Sequence, residues 1–139
     1  MTASNEFIWP IRVYYEDTDS GGVVYYANYL KFMERARTEW LRSLGFEQDN
    51  LRDQEGALFA VSRVSLDLRR PARFNDALRV SVRVKQRRRA SLTLEQEIKG
   101  ESDDGLLCCG EVKVVCVDAE RFRPRAIPKS ILAVIPDVL

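Results

Sequence analysis

The sequence predicts an α+β architecture, a curled antiparallel sheet of about five strands wrapped around one long helix. Three observations carry this. Only residues 27–44 place apolar side chains at helical spacing over several turns. Elsewhere the apolar residues alternate with polar ones, the period of a half-buried strand. The strand-like stretches follow one another after the helix across short turns, as antiparallel neighbours do. A sheet with one apolar face and a single helix to cover it closes most simply by curling around that helix. At 139 residues, one domain spanning 1–139 is expected.

The first strand covers 7–15, where Phe7, Trp9, Ile11, Val13 and Tyr15 alternate with other residues. Pro10 has no N–H to donate and places this strand at a sheet edge or bulge. EDTDSGG (16–22) follows and is dense in turn formers. In the helix, Leu30, Met33, Trp40, Leu41 and Leu44 form a stripe that Phe32 and Ala36 widen. Asn28 suits its N-cap and Gly45 its C′ position. FEQDNLRDQEGA (46–57) reads as a linker. Leu58, Ala60, Ser62, Val64, Leu66 and Leu68 then share one face of a strand that Pro71 ends. Leu78, Val80, Val82 and Val84 alternate with Arg79, Ser81, Arg83 and Lys85. Leu92, Leu94 and Ile98 alternate with Thr93, Glu95 and Glu97. GESDDG (100–105) turns into a last long strand over 106–117, and RPRAIPKSI (123–131) closes the chain. Basic residues on one strand and acidic ones on the next suit cross-strand pairing. One helix leaves sheet edges uncovered, so a homo-oligomer is expected: sheets joined edge to edge in a dimer, then a dimer of dimers.

Composition removes several classes of function. With 45% apolar and 31% charged residues the chain is globular, not disordered. A net charge of +1 excludes bulk nucleic-acid binding, although residues 63–89 hold 10 basic and 2 acidic groups. Residues 75–100 offer no aromatic platform for stacking bases, so no nucleic-acid partner is expected. No apolar run is long enough for a transmembrane segment. MTASNEFIWP has no export pattern, which points to the cytoplasm. There is no histidine, so every mechanism needing a histidine base, relay or ligand is excluded. Cys108, Cys109 and Cys116 lie in one strand. The first two diverge, and Cys108 and Cys116 stand about 26 Å apart at ~3.3 Å per residue. Buried, reduced thiols are expected, and no metal site.

Residues 12–42, RVYYEDTDSGGVVYYANYLKFMERARTEWLR, carry the long pattern D-x-D-x-x-G-[VI]-V-x-[YH]-x-x-Y before the helix. With VVCVDAERFRPRAIPKSI (114–131), this resembles the hotdog-fold acyl-CoA thioesterases of the 4-hydroxybenzoyl-CoA thioesterase type. More narrowly, it is similar to the bacterial thioesterases associated with the Tol-Pal system. The resemblance covers nearly the whole chain. It implies the hotdog fold, with which the periodicity independently agrees. It also implies hydrolysis of acyl-CoA, with a short-chain aliphatic acyl group, to free acid and CoA. No cofactor is implied, since coenzyme A belongs to the substrate.

Thioester hydrolysis needs an activated water or nucleophile, stabilisation of an oxyanion, and departure of a thiolate. A leaving thiol of pKa near ~8.5 needs little acid assistance, so a chain without histidine suffices. The resemblance assigns the catalytic carboxylate to Asp19, as nucleophile or as general base on water. By residue type alone, Asp17, Thr18 and Asp19 would equally shape a turn. The resemblance assigns the oxyanion donor to the backbone N–H of Tyr26, near the helix start, where free amides and the dipole favour negative charge. An ordinary helix start reads the same way. Gly22 lets substrate approach the backbone, and Val24 and Tyr25 complete the implied binding segment.

Tyr26 stands where the Tol-Pal-associated group usually carries His and the 4-hydroxybenzoyl-CoA enzymes carry Tyr. All five tyrosines lie between positions 14 and 29, either lining an acyl pocket or packing around the helix. Glu34 is a reserve carboxylate, with an ion pair to Lys31, Arg35 or Arg37 as its alternative role. The resemblance places the nucleotide end of CoA at Arg88, Arg89, Ser91 and Arg125. Ala90 stands where the 4-hydroxybenzoyl-CoA enzymes carry a lysine. A solvated turn facing the acidic 95–104 stretch is the alternative there. Two further functions compete with acyl-CoA hydrolysis: thioesterase action on acyl carrier protein, and a non-catalytic acyl-binding or protein-binding scaffold linked to the cell envelope. A hotdog dehydratase is disfavoured, because those enzymes rely on histidine.

Overall fold

A computed structural model describes residues 6–102 and 105–135. Residues 1–5, on which the expectation of an unexported chain partly rests, and the tip of the 100–105 turn lie outside the described residues. Strands β1 (Phe7–Arg12), β2 (Ala57–Leu68), β3 (Ala77–Arg87), β4 (Ser91–Gly100) and β5 (Leu106–Asp118) form one antiparallel sheet in the order β1-β3-β4-β5-β2. Helix α1 (Asn28–Ser43) packs on its inner face, burying Phe32, Met33, Ala36, Trp40 and Leu41. Against them stand Leu78, Val80 and Val82 of β3, Leu92, Leu94 and Ile98 of β4, and Val112 and Val114 of β5. This is the curled sheet around one helix that the hydrophobic periods predict.

Pro10 lies on edge strand β1, opposite Arg79, where a missing N–H breaks no interior ladder. That strand stops at Arg12 and not at 15, because Tyr15–Asp17 winds into a 3₁₀ turn. At the other end of α1, Gly45 donates to the Arg42 carbonyl at 3.0 Å and Phe46 to the Leu41 carbonyl at 3.0 Å. These are the bonds of a Schellman stop, as Gly45 predicts. Asn28 is not the N-cap. It is the first helical residue, Ala27 precedes it without a side-chain cap, and its amide is used elsewhere.

The expected linker contains a second helix, α2 (Gln48–Glu55). Among its residues only Leu51 is buried, so two turns of helix leave no apolar stripe to read. Strand β2 does not keep one face throughout. A bulge between Val61 and Arg63 shifts the register, so Leu58 and Ala60 face opposite to Val64, Leu66 and Leu68. A short C-terminal helix α3 (Lys129–Leu132) buries Ile131.

One polar residue sits at the centre of the core. Gln96 is fully buried on the inner face of β4. Its Nε2 donates to the Met33 and Ser81 carbonyls at 3.1 and 3.2 Å, and its Oε1 accepts Arg37 Nη1 at 3.0 Å. All its partners are in place, which is what burial of an amide requires. Arg83–Glu95 and Lys85–Glu111 ion pairs cross the outer face, as the alternation of charged strands predicts.

Candidate active site

The loop leading into α1 is a small hairpin. Thr18 bridges Val24, the Asp19 N–H donates to the Val23 carbonyl at 2.9 Å, and the Gly22 N–H donates to the Asp19 carbonyl at 3.0 Å. Gly22 turns it at φ +80°, a left-handed conformation that favours glycine. A second loop pins the hairpin down. The Val24 N–H donates to the Ala72 carbonyl at 2.8 Å, and the Ala72 N–H donates to the Tyr29 hydroxyl of α1 at 3.0 Å.

The two aspartates of D-x-D part company here. Asp17 is buried, 3% exposed, and its carboxylate accepts the Tyr14 N–H at 2.8 Å and the Asn28 amide at 2.9 Å. Asp19 is exposed. Its Oδ1 accepts the Gly21 N–H at 2.8 Å, and among the described residues nothing donates to Oδ2. One oxygen is thus oriented by the loop while the other faces outward, as a base or nucleophile needs.

Both backbone groups of Tyr25 are held. The Tyr25 N–H donates to the Asp17 carbonyl at 2.9 Å, and the Tyr25 carbonyl accepts the Asn28 N–H at 2.8 Å. A trans peptide points its C=O and N–H in opposite directions. The Tyr26 N–H is therefore turned away from the first turn of α1, and among the described residues no acceptor takes it. An aimed, unsatisfied donor at a helix start can bind a developing oxyanion.

The other expected site residues fall differently. Tyr25 and Tyr26 are 48% and 58% exposed, with ring centroids 4.9 Å apart. Tyr14 and Tyr15 are also exposed, Tyr15 stacking on Phe74 at 3.8 Å, so of the five tyrosines only Tyr29 packs into the core. Val24 is a core residue, 4% exposed. Glu34 is exposed on α1, six residues beyond Asn28 and so about 9 Å along the axis. It forms no ion pair among the described residues, contrary to the pairing expected with its basic neighbours. With Arg37, Thr38, Leu41, Phe59 and others it lines a groove of about 100 Å³ between α1 and the sheet.

The β3–β4 turn lies beside the C-terminal segment. The Cys116 N–H donates to the Ala90 carbonyl, the Ile127 N–H to the Arg89 carbonyl, and the Arg125 N–H to the Cys116 carbonyl. Arg88, Arg89, Ser91 and Arg125 thus share one end of the sheet, but not one environment. Ser91 is buried, 8% exposed, and Arg125 Nη1 donates to the Glu55 carbonyl at 2.8 Å. Arg88 and Arg89 are exposed. Arg88 also borders a hollow of about 450 Å³ on the outer face with Arg63, Lys85 and Lys113. The sequence hid this cluster, because Arg63 meets Lys113 only through the β2 bulge. Among the described residues no group of three or more Cys, Asp or Glu is placed to hold a metal ion.

Comparison with known proteins shows the family. A model of the thioesterase-like superfamily matches residues 13–135. The acyl-CoA thioester hydrolase YbgC of Escherichia coli is 47% identical over 127 residues, covering 91% of this chain and 93% of that protein. The acyl-CoA thioesterase YbgC of Haemophilus influenzae is 43% identical, covering 93% of each. Among solved structures, the 1,4-dihydroxy-2-naphthoyl-CoA thioesterase Slr0204 of Synechocystis superposes with a TM-score of 0.87 at 25% identity, covering 94% of this chain and 95% of that one. The chain belongs to the thioesterase-like superfamily and has the hotdog fold.

Proposed function

We propose that the protein hydrolyses the thioester bond of acyl-CoA, giving a free acid and CoA. The observation that carries this reading is the Tyr25–Tyr26 peptide, whose N–H is aimed outward and left without an acceptor on the loop that presents Asp19. The thioester oxygen takes the Tyr26 N–H. The carbonyl carbon is attacked either by Asp19 itself or by a water that Asp19 deprotonates. The tetrahedral intermediate collapses, the C–S bond breaks, and the thiolate leaves with the bonding electrons. If Asp19 is the nucleophile, water then cleaves the mixed anhydride. Neither route calls for a metal or bound cofactor. The family relatives named as acyl-CoA hydrolases support the same substrate class.

We assign the acyl group, a short aliphatic chain, to the groove beside α1. The nucleotide phosphates are assigned to Arg88 and Arg89 at the exposed β3–β4 turn. A second reading, with acyl carrier protein as the handle, draws on the hollow of Arg63, Lys85, Arg88 and Lys113, where Glu111 offsets one of the four positive charges. We place the enzyme in the cytoplasm, and among its described residues no helix is long and apolar enough to cross a membrane.

The test is thiol release from short, long and aromatic acyl-CoAs by wild type and Asp19→Asn. Loss of general-base catalysis predicts a fall of about 10²- to 10⁴-fold, with the variant still folded. Undiminished turnover by Asp19→Asn would move the chemistry elsewhere, to Glu34 first. Turnover of acyl carrier protein substrates alone would favour the second reading.

A further inference from the structure

We infer that Asp17 and Asn28 are positioning residues, a buried carboxylate–amide clamp that aims the Tyr26 N–H; the inference rests on the oxyanion role proposed above. Asp17 is 3% exposed and Asn28 8% exposed. Burying a carboxylate is costly unless its oxygens are bonded. Among the described residues no cation lies within ion-pair distance of Asp17. Its oxygens are bonded instead by two donors, the Tyr14 N–H to Oδ2 and Asn28 Nδ2 to Oδ1.

Starting a helix does not require this arrangement. A Ser, Thr or Asp at position 27 could cap α1 locally, yet Ala27 stands there. What the distant carboxylate adds is a link between two anchors. The backbone carbonyl of Asp17 holds the Tyr25 N–H, and the backbone N–H of Asn28 holds the Tyr25 carbonyl. The side-chain bond joins those two residues across eleven positions of chain. Tyr25, whose carbonyl is the other half of the peptide carrying the Tyr26 N–H, is therefore held between two linked anchors. A donor fixed before substrate arrives needs no reorganisation when the oxyanion forms.

The clamp can be rewired without removing it. In Asp17→Asn one carboxylate oxygen becomes an NH₂ that opposes either the Tyr14 N–H or the Asn28 amide. In Asn28→Asp two carboxylates meet. In the double variant the amide now at position 17 accepts the Tyr14 N–H through its oxygen. Its NH₂ donates to the carboxylate now at position 28. Both bonds return, the second with its direction reversed. The experiment is kcat and KM for both single variants and the double variant, with circular dichroism and Tm recorded for each. Misaiming an oxyanion donor predicts a kcat loss of about 10- to 100-fold in each single variant, with KM within about threefold. The double variant is expected to recover most of kcat. If Asp17→Asn does not fold, Asn28→Ala carries the same prediction, because the Tyr14 bond to Asp17 survives it. Single variants with wild-type kcat, a loss that follows only the folded fraction, or no recovery in the double variant would overturn the clamp. Asp19→Asn is run beside them. Activity retained there refutes the reading of the site, whereas a dead Asp19→Asn with unaffected clamp variants refutes the clamp alone.

Discussion

Two aspartates separated by one residue are chemically identical in a sequence. What divides them is burial: Asp17 turns inward to Tyr14 and Asn28, while Asp19 stays on the hairpin with one oxygen unclaimed. The cysteines divide in the same way. Cys108 and Cys116 are buried, and Cys109, on the other face of β5, is half-buried. Burial pushes the Cys108 thiol up to about 12, and pushes Cys116 up as well. Iodoacetamide at mildly alkaline pH should therefore modify Cys109 well before Cys108, as peptide mapping by mass spectrometry would show. A raised thiol also has a sign for stability. The folded protein keeps the proton that the unfolded chain gives up near the ordinary thiol value, so stability is full below that value and falls as pH climbs toward about 12. Urea midpoints measured from pH 8 upward should decline, and decline less in Cys108→Ala. At this scale the turn that carries Asp19 was legible, because residues 16–22 are dense in turn formers. Val24 and Ser91 were not, since their burial depends on the 69–76 loop and on β5, far away in sequence.

Elements with a strong period were legible, and elements without one were not. Helix α1 matches its expected span to within a residue at each end, because its stripe and Gly45 act over adjacent turns. Helix α2 was hidden because it rests on Leu51 alone. The bulge in β2 was hidden because an extra residue leaves no mark on composition, yet it reverses which side chains face the core. The β2–β5 contact makes another demand. A Cβ on Gly110 would lie 2.2 Å from the Ser65 carbonyl oxygen, a backbone atom that cannot swing away. Gly110→Ala should therefore force the strands apart and destabilise the protein by about 1–3 kcal/mol, read as a lower urea midpoint. An unchanged midpoint would show that the two strands have slack.

The architecture of the whole molecule was the easiest feature to read, since one helical stripe and five alternating stretches leave few ways to bury an apolar face. The same logic leaves an edge unfinished. Helix α1 covers the middle of the sheet, but on edge strand β2 Val61, Val64 and Leu68 remain 50%, 42% and 51% exposed. Exposed apolar side chains on an unpaired strand edge are the reason to expect a second copy there. Sedimentation should show a dimer or larger species, and Val64→Asp should shift it toward monomer and reduce activity in step. A wild-type monomer at micromolar concentration would rule that assembly out.

The most direct test of the proposed chemistry is a crystal structure of Asp19→Asn with an intact acyl-CoA. The account predicts the thioester oxygen within about 2.7–3.1 Å of the Tyr26 N–H, with the carbonyl carbon facing residue 19. A thioester bound away from this peptide, or with its oxygen turned from Tyr26, would contradict it.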